Sequence, residues 1–164
     1  MQNSQDLKTV QALRDALGAS DEKRLKAQRD AGKLTARQRI DKLVDAGSFV
    51  ELYALVSDGE AAGVVTGYAT VQDRPVYLFA QDFTVHGGAM GKLQALKINK
   101  TLDLALKTGA PVVALLDSAG VRIDEGAAGM NAYAETYQNI ARLSGVSPIV
   151  RSEEHTSELQ SRGL

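Results

Sequence analysis

An α/β fold is what this sequence predicts, and three observations carry the prediction. Residues 112–116 (VVALL) form a short, wholly apolar run that stops at Asp117, as a strand buried on both faces does. Upstream, 49–52, 63–71 and 75–80 are rich in Val, Tyr, Thr and Phe, the residues that favour strands. Flanking the apolar run, 90–108 and 129–143 carry apolar residues at helical spacing.

In chain order, residues 4–45 read as helical, with Leu7, Val10, Leu13 and Leu17, then Leu25, Leu34, Ile40, Leu43 and Val44, set among charges. Gly18 followed by Ser20 and Asp21 reads as a helix stop and a new N-cap. Thr35 with Gln38 three residues on is a capping-box pattern. Among the expected strands, Gln72, Asp73 and Arg74 make a hairpin turn, and Ala61, Ala62 and Gly63 a small-residue approach to the second strand. In the 90–108 helix, Gly91, Ala95, Ile98, Leu102, Ala105 and Leu106 share one face. Lys92, Lys97, Lys100 and Lys107 lie off it and are expected in solvent. Gly109 and Pro111 stop this helix. Over 129–143 the expected core face is Met130, Tyr133, Ala134, Tyr137, Ile140 and Ala141, closed by Gly145.

Composition narrows the function classes. With 44% apolar and 24% charged residues, the 164-residue chain has the make-up of a globular protein long enough to bury a core. Its net charge of −1 gives no bulk attraction to nucleic acid or anionic membrane. The basic residues of the first 45 positions are interleaved with acids, as on a solvated helical face. There is no Cys, so neither a disulfide framework nor a Cys-ligated zinc site can form. A secretory signal is not expected at an N-terminus bearing Asp6 and Lys8, no apolar run approaches the roughly 20 residues of a membrane span, and the expected location is cytoplasmic.

The chemistry-bearing stretch is 111–129, PVVALLDSAGVRIDEGAAG. Ser118, Ala119, Gly120, Gly126 and Gly129 make a turn so poor in bulk that a ligand can touch main chain, and its N–H groups can face a developing negative oxygen. That is the chemistry of an oxyanion hole. A tight strand-to-helix connection explains the same residues, since neither phosphate-binding glycine fingerprint is present. A His86–Ser118–Asp117 triad is disfavoured: Ser118 lacks the G-x-S-x-G elbow. A metal site from Asp117, Asp124 and Glu125 lacks ligand spacing and a paired His.

Three motifs decide between these readings. DSAGVRIDEG at 117–126, QDFTVHGGAMG at 81–91 and KTGAPVVALLDS at 107–118, with GKLTARQRIDKLVDAGSFVEL at 32–52 and SGVSPIV at 144–150, resemble the carboxyltransferase component of biotin-dependent acyl-CoA carboxylases and decarboxylases, of the propionyl-CoA carboxylase type. The resemblance implies a crotonase-like (ClpP/crotonase) α/β domain, here truncated, with residues 1–45 as a helical lead-in and 46–150 as part of the carboxyltransferase N-terminal domain. It implies transfer of a carboxyl group between biotin, held on a separate carrier, and the α-carbon of an acyl-CoA. Backbone N–H groups at Ala119 and Gly120 would stabilise the enolate, with Gly87, Gly88, Ser118, Val121 and Arg122 as substrate-binding positions and no metal. Ala119 stands where the family has Gly, Val121 where it has Ala, and Lys92 where many relatives have Glu. Implied partners are a biotin carboxyl carrier and biotin carboxylase or decarboxylase subunits, within a homo-oligomer; nucleic acid and membrane insertion are not implied.

Residues 151–161 (RSEEHTSELQS) lack any apolar period and resemble the in-frame translation of a sequencing adapter. Residues 151–164, His155 included, are therefore expected to be foreign, and the natural protein to continue past Val150. The chain alone is expected to be inactive. Two other readings stand beside this one: another crotonase-like enzyme (a CoA-ester hydratase or isomerase, or a serine peptidase of similar architecture), and a non-catalytic acyl-CoA-binding protein.

Overall fold

The computed structural model describes residues 2–18 and 22–153. Three helices come first: α1 (Gln2–Gly18), α2 (Glu22–Asp30) and α3 (Ala36–Leu43). The N-cap expected at Ser20 and Asp21, and His155, lie outside the described residues. Next are β1 (Val50–Leu52), β2 (Val64–Val71), β3 (Arg74–Gln81), α4 (Lys92–Thr108), β4 (Val112–Leu116), α5 (Ala127–Leu143) and β5 (Ile149–Glu153). The five strands form one sheet in sequence order, β1-β2-β3 antiparallel and β3-β4-β5 parallel. Each parallel crossover is one helix, the βαβ arrangement.

Period-two alternation splits the strand residues between two cores. Val64, Phe79, Val112 and Ala114 face α4 and α5, where Ile98, Leu102 and Leu143 are buried. Val65, Leu78, Ala80 and Leu115 face the opposite side, covered by Ala36 and Ile40 of α3. The sheet is thus sandwiched at its centre, which is why the 112–116 run is apolar throughout.

Local signals behave as their chemistry dictates. Thr35 accepts from the Gln38 amide at 3.2 Å while Gln38 Oε1 accepts from the Thr35 amide at 3.0 Å, completing the capping box. Gly109 closes α4 in the left-handed region at φ 72°. The β2–β3 hairpin turns on Gln72 and Asp73, both at positive φ. Asp45 supports this turn, its carboxylate accepting from both amides at 3.0 and 2.9 Å.

Two expectations are corrected. Lys97 is buried at 4% exposure and donates to the Val64 carbonyl at 2.9 Å. Burial pushes its pKa down, and the nearby Glu51 carboxylate offsets part of that. The long stem lets Lys97 reach a carbonyl at the start of β2, a reach no apolar-stripe argument includes. The second correction concerns α5. Its buried line is Gly129, Ala132, Thr136 and Leu143, whereas Met130 is 60% and Tyr137 52% exposed. Gly129 explains the rotation: a Cβ there would come within 2.8 Å of the Arg122 carbonyl oxygen, so the small edge of the helix turns inward, Met130 and Tyr137 turn outward, and Tyr133 and Ile140 stay half-buried against the core.

Strand β5 also takes in Arg151, Ser152 and Glu153, the first residues of the stretch expected to be foreign and to lie outside the fold. Arg151, Ser152 and Glu153 pair with Ala114, Leu115 and Leu116. Ladder bonds are made by backbone, so polar residues can continue a strand that apolar Ile149 and Val150 begin.

Candidate active site

Strands β3 and β4 run parallel and end at the same edge, at Gln81 and Leu116. In open parallel sheets the crevice beyond those carboxyl ends is where ligands bind. Two loops leave that edge, 82–91 and 117–126, and contact each other through main chain. The Ala119 amide donates to the Gly87 carbonyl at 2.9 Å, the Met90 amide to the Gly120 carbonyl at 2.8 Å, and the Arg122 amide to the Met90 carbonyl at 2.9 Å. Gly88, at φ 65°, allows this approach, since any Cβ there would collide with the Asp117 carbonyl oxygen.

Beside the second loop lies a cleft of about 490 Å³. Its floor is apolar, from Phe79, Ala114, Leu116 and Ile140; Asp117, Ser118, Ala119 and Gly120 form one rim, and Tyr133, Thr136 and Tyr137 the other. The tyrosine hydroxyls meet at 3.5 Å, and that contact with burial pushes Tyr133 up to about 12. Arg151 and Glu153 close one end. Of the α5 residues expected in the core, Tyr133 and Ile140 do pack against it and line the cleft as well, whereas Tyr137 serves the cleft alone.

The expected site residues divide into distinct groups. Ser118, Ala119 and Gly120 line the cleft. The Ala119 amide is committed to Gly87, while the Gly120 amide is held within its own turn by Ser118 Oγ at 3.1 Å. Gly87 instead lines a second cavity of about 410 Å³ against α2, beside Arg24, Gln28 and Phe83. Gly88 is a spacer between the loops. Val121 bridges to Met90, and its side chain lies on the Gly129 side. Arg122 is held by the carboxylates of Asp124 and Glu125, the latter at 3.5 Å. Glu125 in turn accepts from the Lys92 amide at 2.8 Å, capping the N-terminus of α4.

His86 pairs with Glu60 at 3.0 Å, and the Ser118 hydroxyl donates to the Gly120 carbonyl at 3.2 Å. Ser118 is thus bound up in its own turn. Among the described residues, no three His, Cys, Asp or Glu side chains gather as metal ligands would.

Beneath the loops lies a polar layer that sequence reading passed over. Gln28, Gln81, Gln94 and Asp117 are all buried. Gln28 Nε2 approaches Asp117 Oδ2 at 3.4 Å, and Arg39 donates to the Gln81 and Leu116 carbonyls at 2.6 and 3.2 Å. The available signal was Gln94, a carboxamide three residues after Gly91 and four before Ile98, inside the expected core stripe.

A mixed sheet whose two glycine loops meet beside a cleft at the carboxyl ends of its parallel strands defines an α/β protein of the class that binds ligands at that edge. The family comparison is specific: the chain belongs to the carboxyl transferase domain family, whose profile matches residues 27–151. Over 86 residues (52% of the chain) it is 50% identical to the propionyl-CoA carboxylase beta chain of Cereibacter sphaeroides and 49% identical to the methylmalonyl-CoA decarboxylase subunit alpha of Veillonella parvula. In each case the match covers 17% of the relative. Among solved structures, the transcarboxylase 12S hexamer with methylmalonyl-coenzyme A and methylmalonic acid bound aligns with a TM-score of 0.84 at 34% identity, covering 92% of this chain and 32% of that one. A single-chain, multi-domain long-chain acyl-CoA carboxylase aligns with a TM-score of 0.73 at 32% identity, over 90% of this chain and 17% of that one. The fold is that of the crotonase-like carboxyltransferases. Among the described residues, no helix is long and apolar enough to cross a membrane.

Proposed function

We propose that this chain is part of a biotin-dependent acyl-CoA carboxyltransferase subunit, and that its cleft receives the acyl thioester. The observation that carries the reading is the position of Gly120: it sits on the rim of an apolar cleft at the carboxyl ends of parallel strands, in a chain of this family. Carboxylated biotin, on a separate carrier, would supply the carboxyl group and, once the bond from that group to its ureido nitrogen has broken, the acceptor for the α-proton. The chain's own part is electrostatic. As the α-carbon loses its proton or its carboxylate, negative charge collects on the thioester oxygen, and an amide fixed beforehand at that oxygen lowers the barrier.

The Gly120 amide is the ready donor, because its present partner is a neighbouring hydroxyl that can rotate away. The Ala119 amide joins it only when the Gly87 carbonyl withdraws. The apolar floor fits a short acyl chain. Gly87, Gly88, Val121 and Arg122 then act by shaping and holding the loops, and Arg122 through its carboxylate pairs. The complete assembly is expected to include a biotin carrier, a carboxylase or decarboxylase subunit and further copies of this subunit, in the cytoplasm.

The test is carboxyl transfer from carboxylated biotin to a short acyl-CoA by the complete subunit, with α-proton exchange followed in deuterated water. Turnover that survives Ser118→Ala within about tenfold supports the reading, since removing a true nucleophile costs several orders of magnitude. Hydration or hydrolysis of the acyl-CoA without carboxyl transfer would replace it with one of the other crotonase-like activities.

A further inference from the structure

We infer that Gln81 and Gln94 are positioning residues that hold the two glycine loops in register from below, a role that rests on the function proposed above. Gln81 is the last residue of β3 and Gln94 lies in the first turn of α4, 3% and 2% exposed. The Asp117 amide donates to Gln81 Oε1 at 3.1 Å, and Gln81 Nε2 donates to Gln94 Oε1 at 3.0 Å. Gln94 Nε2 donates to the Gly63 carbonyl at 3.0 Å and to the Gly88 carbonyl at 3.3 Å. Two side chains thus link Asp117, which opens the cleft rim, to Gly88, the spacer in the other loop.

The polarity of this relay is set at both ends. A main-chain N–H demands an oxygen from Gln81, and two main-chain carbonyls demand an NH₂ from Gln94. A carboxamide keeps an acceptor and a donor at fixed separation at any pH, which a carboxyl group does only when protonated, so two carboxamides in series suit this path. A carboxylate of the same shape fails in a specific way. In Gln94→Glu one oxygen still accepts from Gln81, but the other faces the carbonyls of Gly63 and Gly88. Protonation of that carboxyl restores a donor. In Gln81→Glu the second oxygen faces Gln94 Oε1, and flipping Gln94 only passes the conflict to the two carbonyls. The pair therefore sets where the Asp117–Gly120 rim stands relative to Gly87 and Gly88, and so where the amides of Ala119 and Gly120 point.

Gln81→Glu, Gln94→Glu and Gln81→Leu in the complete subunit test this. Expected is a fall in kcat of about 10- to 100-fold with the KM for acyl-CoA within about twofold, the pattern of a misplaced transition-state group. Gln94→Glu should regain turnover as pH falls, while Gln81→Leu should not. Amide hydrogen exchange across residues 117–120, measured on the folded variants, is expected to rise at least tenfold, and this readout needs no turnover. An unmutated subunit that fails to transfer carboxyl groups sinks the proposed function, and exchange then decides the positioning role alone. Unchanged exchange at 117–120 overturns that role, and so does an unchanged kcat in an active subunit; variants too unstable to isolate, Gln94→Glu included at low pH, overturn it in favour of a purely structural part.

Discussion

Gly88 concentrates the constraints of the site into one missing side chain. It has a positive φ of 65°, and a Cβ would strike the Asp117 carbonyl oxygen. Gly88→Ala therefore meets a backbone conformation that costs of order 1–3 kcal/mol, plus a collision that only loop movement relieves. A lowered melting temperature together with loss of turnover in the complete subunit is the expected result; an unchanged melting temperature would show that the loops are not in contact here. Lys97 is the opposite case, a charge buried where solvent was expected. Its folded pKa is below the ordinary 10.5. Between those two values the unfolded chain binds more protons, so this group makes stability rise with pH until about 10.5. In denaturant titrations, the stability difference between wild type and Lys97→Met should shift in favour of wild type as pH is raised from 8 to 10. A pH-independent difference would mean that Lys97 carries no depressed pKa.

Among the elements, α3 and α5 show how local patterning and packing divide the work. The α3 start is local: Thr35 and Gln38 close the capping box without help from the rest of the chain. Thr35→Ala should cost about 1 kcal/mol, read as a shift of the denaturation midpoint at constant slope. The face of α5, by contrast, could not be read from spacing. Its sequence offers two adjacent stripes, one of small residues (Gly129, Ala132, Thr136) and one of large apolar ones (Met130, Tyr133, Tyr137), and hydrophobicity alone favours the larger. Close approach at Gly129 selects the smaller, which leaves Tyr133 at the border of core and cleft and Tyr137 in the cleft. Tyr137→Ala is accordingly expected to enlarge the cleft and change acyl-CoA preference while leaving the melting temperature within about 2 °C, since a half-exposed side chain contributes little core area.

For the molecule as a whole, the match with the curated relatives covers 52% of this chain and about one sixth of their length. The cleft ends on β5, which is the last strand of the sheet in the described residues and is exposed at four of its five residues. Exposed Met130, Tyr137, Val146 and Val150 lie on α5, on β5 or between them. A complete active site on this plan needs further walls at that side. The 164-residue chain alone is therefore expected to give no carboxyl transfer above background in the assay proposed for the complete subunit; measurable turnover from it would show the described cleft to be sufficient.

What the sequence determined by itself was carried by strand period, punctuation and motif. That covers the α/β class, the strand positions, the Thr35–Gln38 cap, the Gly109 stop and the family, since each depends on residues near one another in the chain. Tertiary structure alone decided which of two α5 stripes is buried, that Lys97 reaches a sheet carbonyl, that the Ala119 amide is spent on Gly87, and that Gln81 and Gln94 join two loops. Those outcomes turn on hydrogen-bond direction and on distances between segments tens of residues apart, and neither quantity has a signature in composition or spacing.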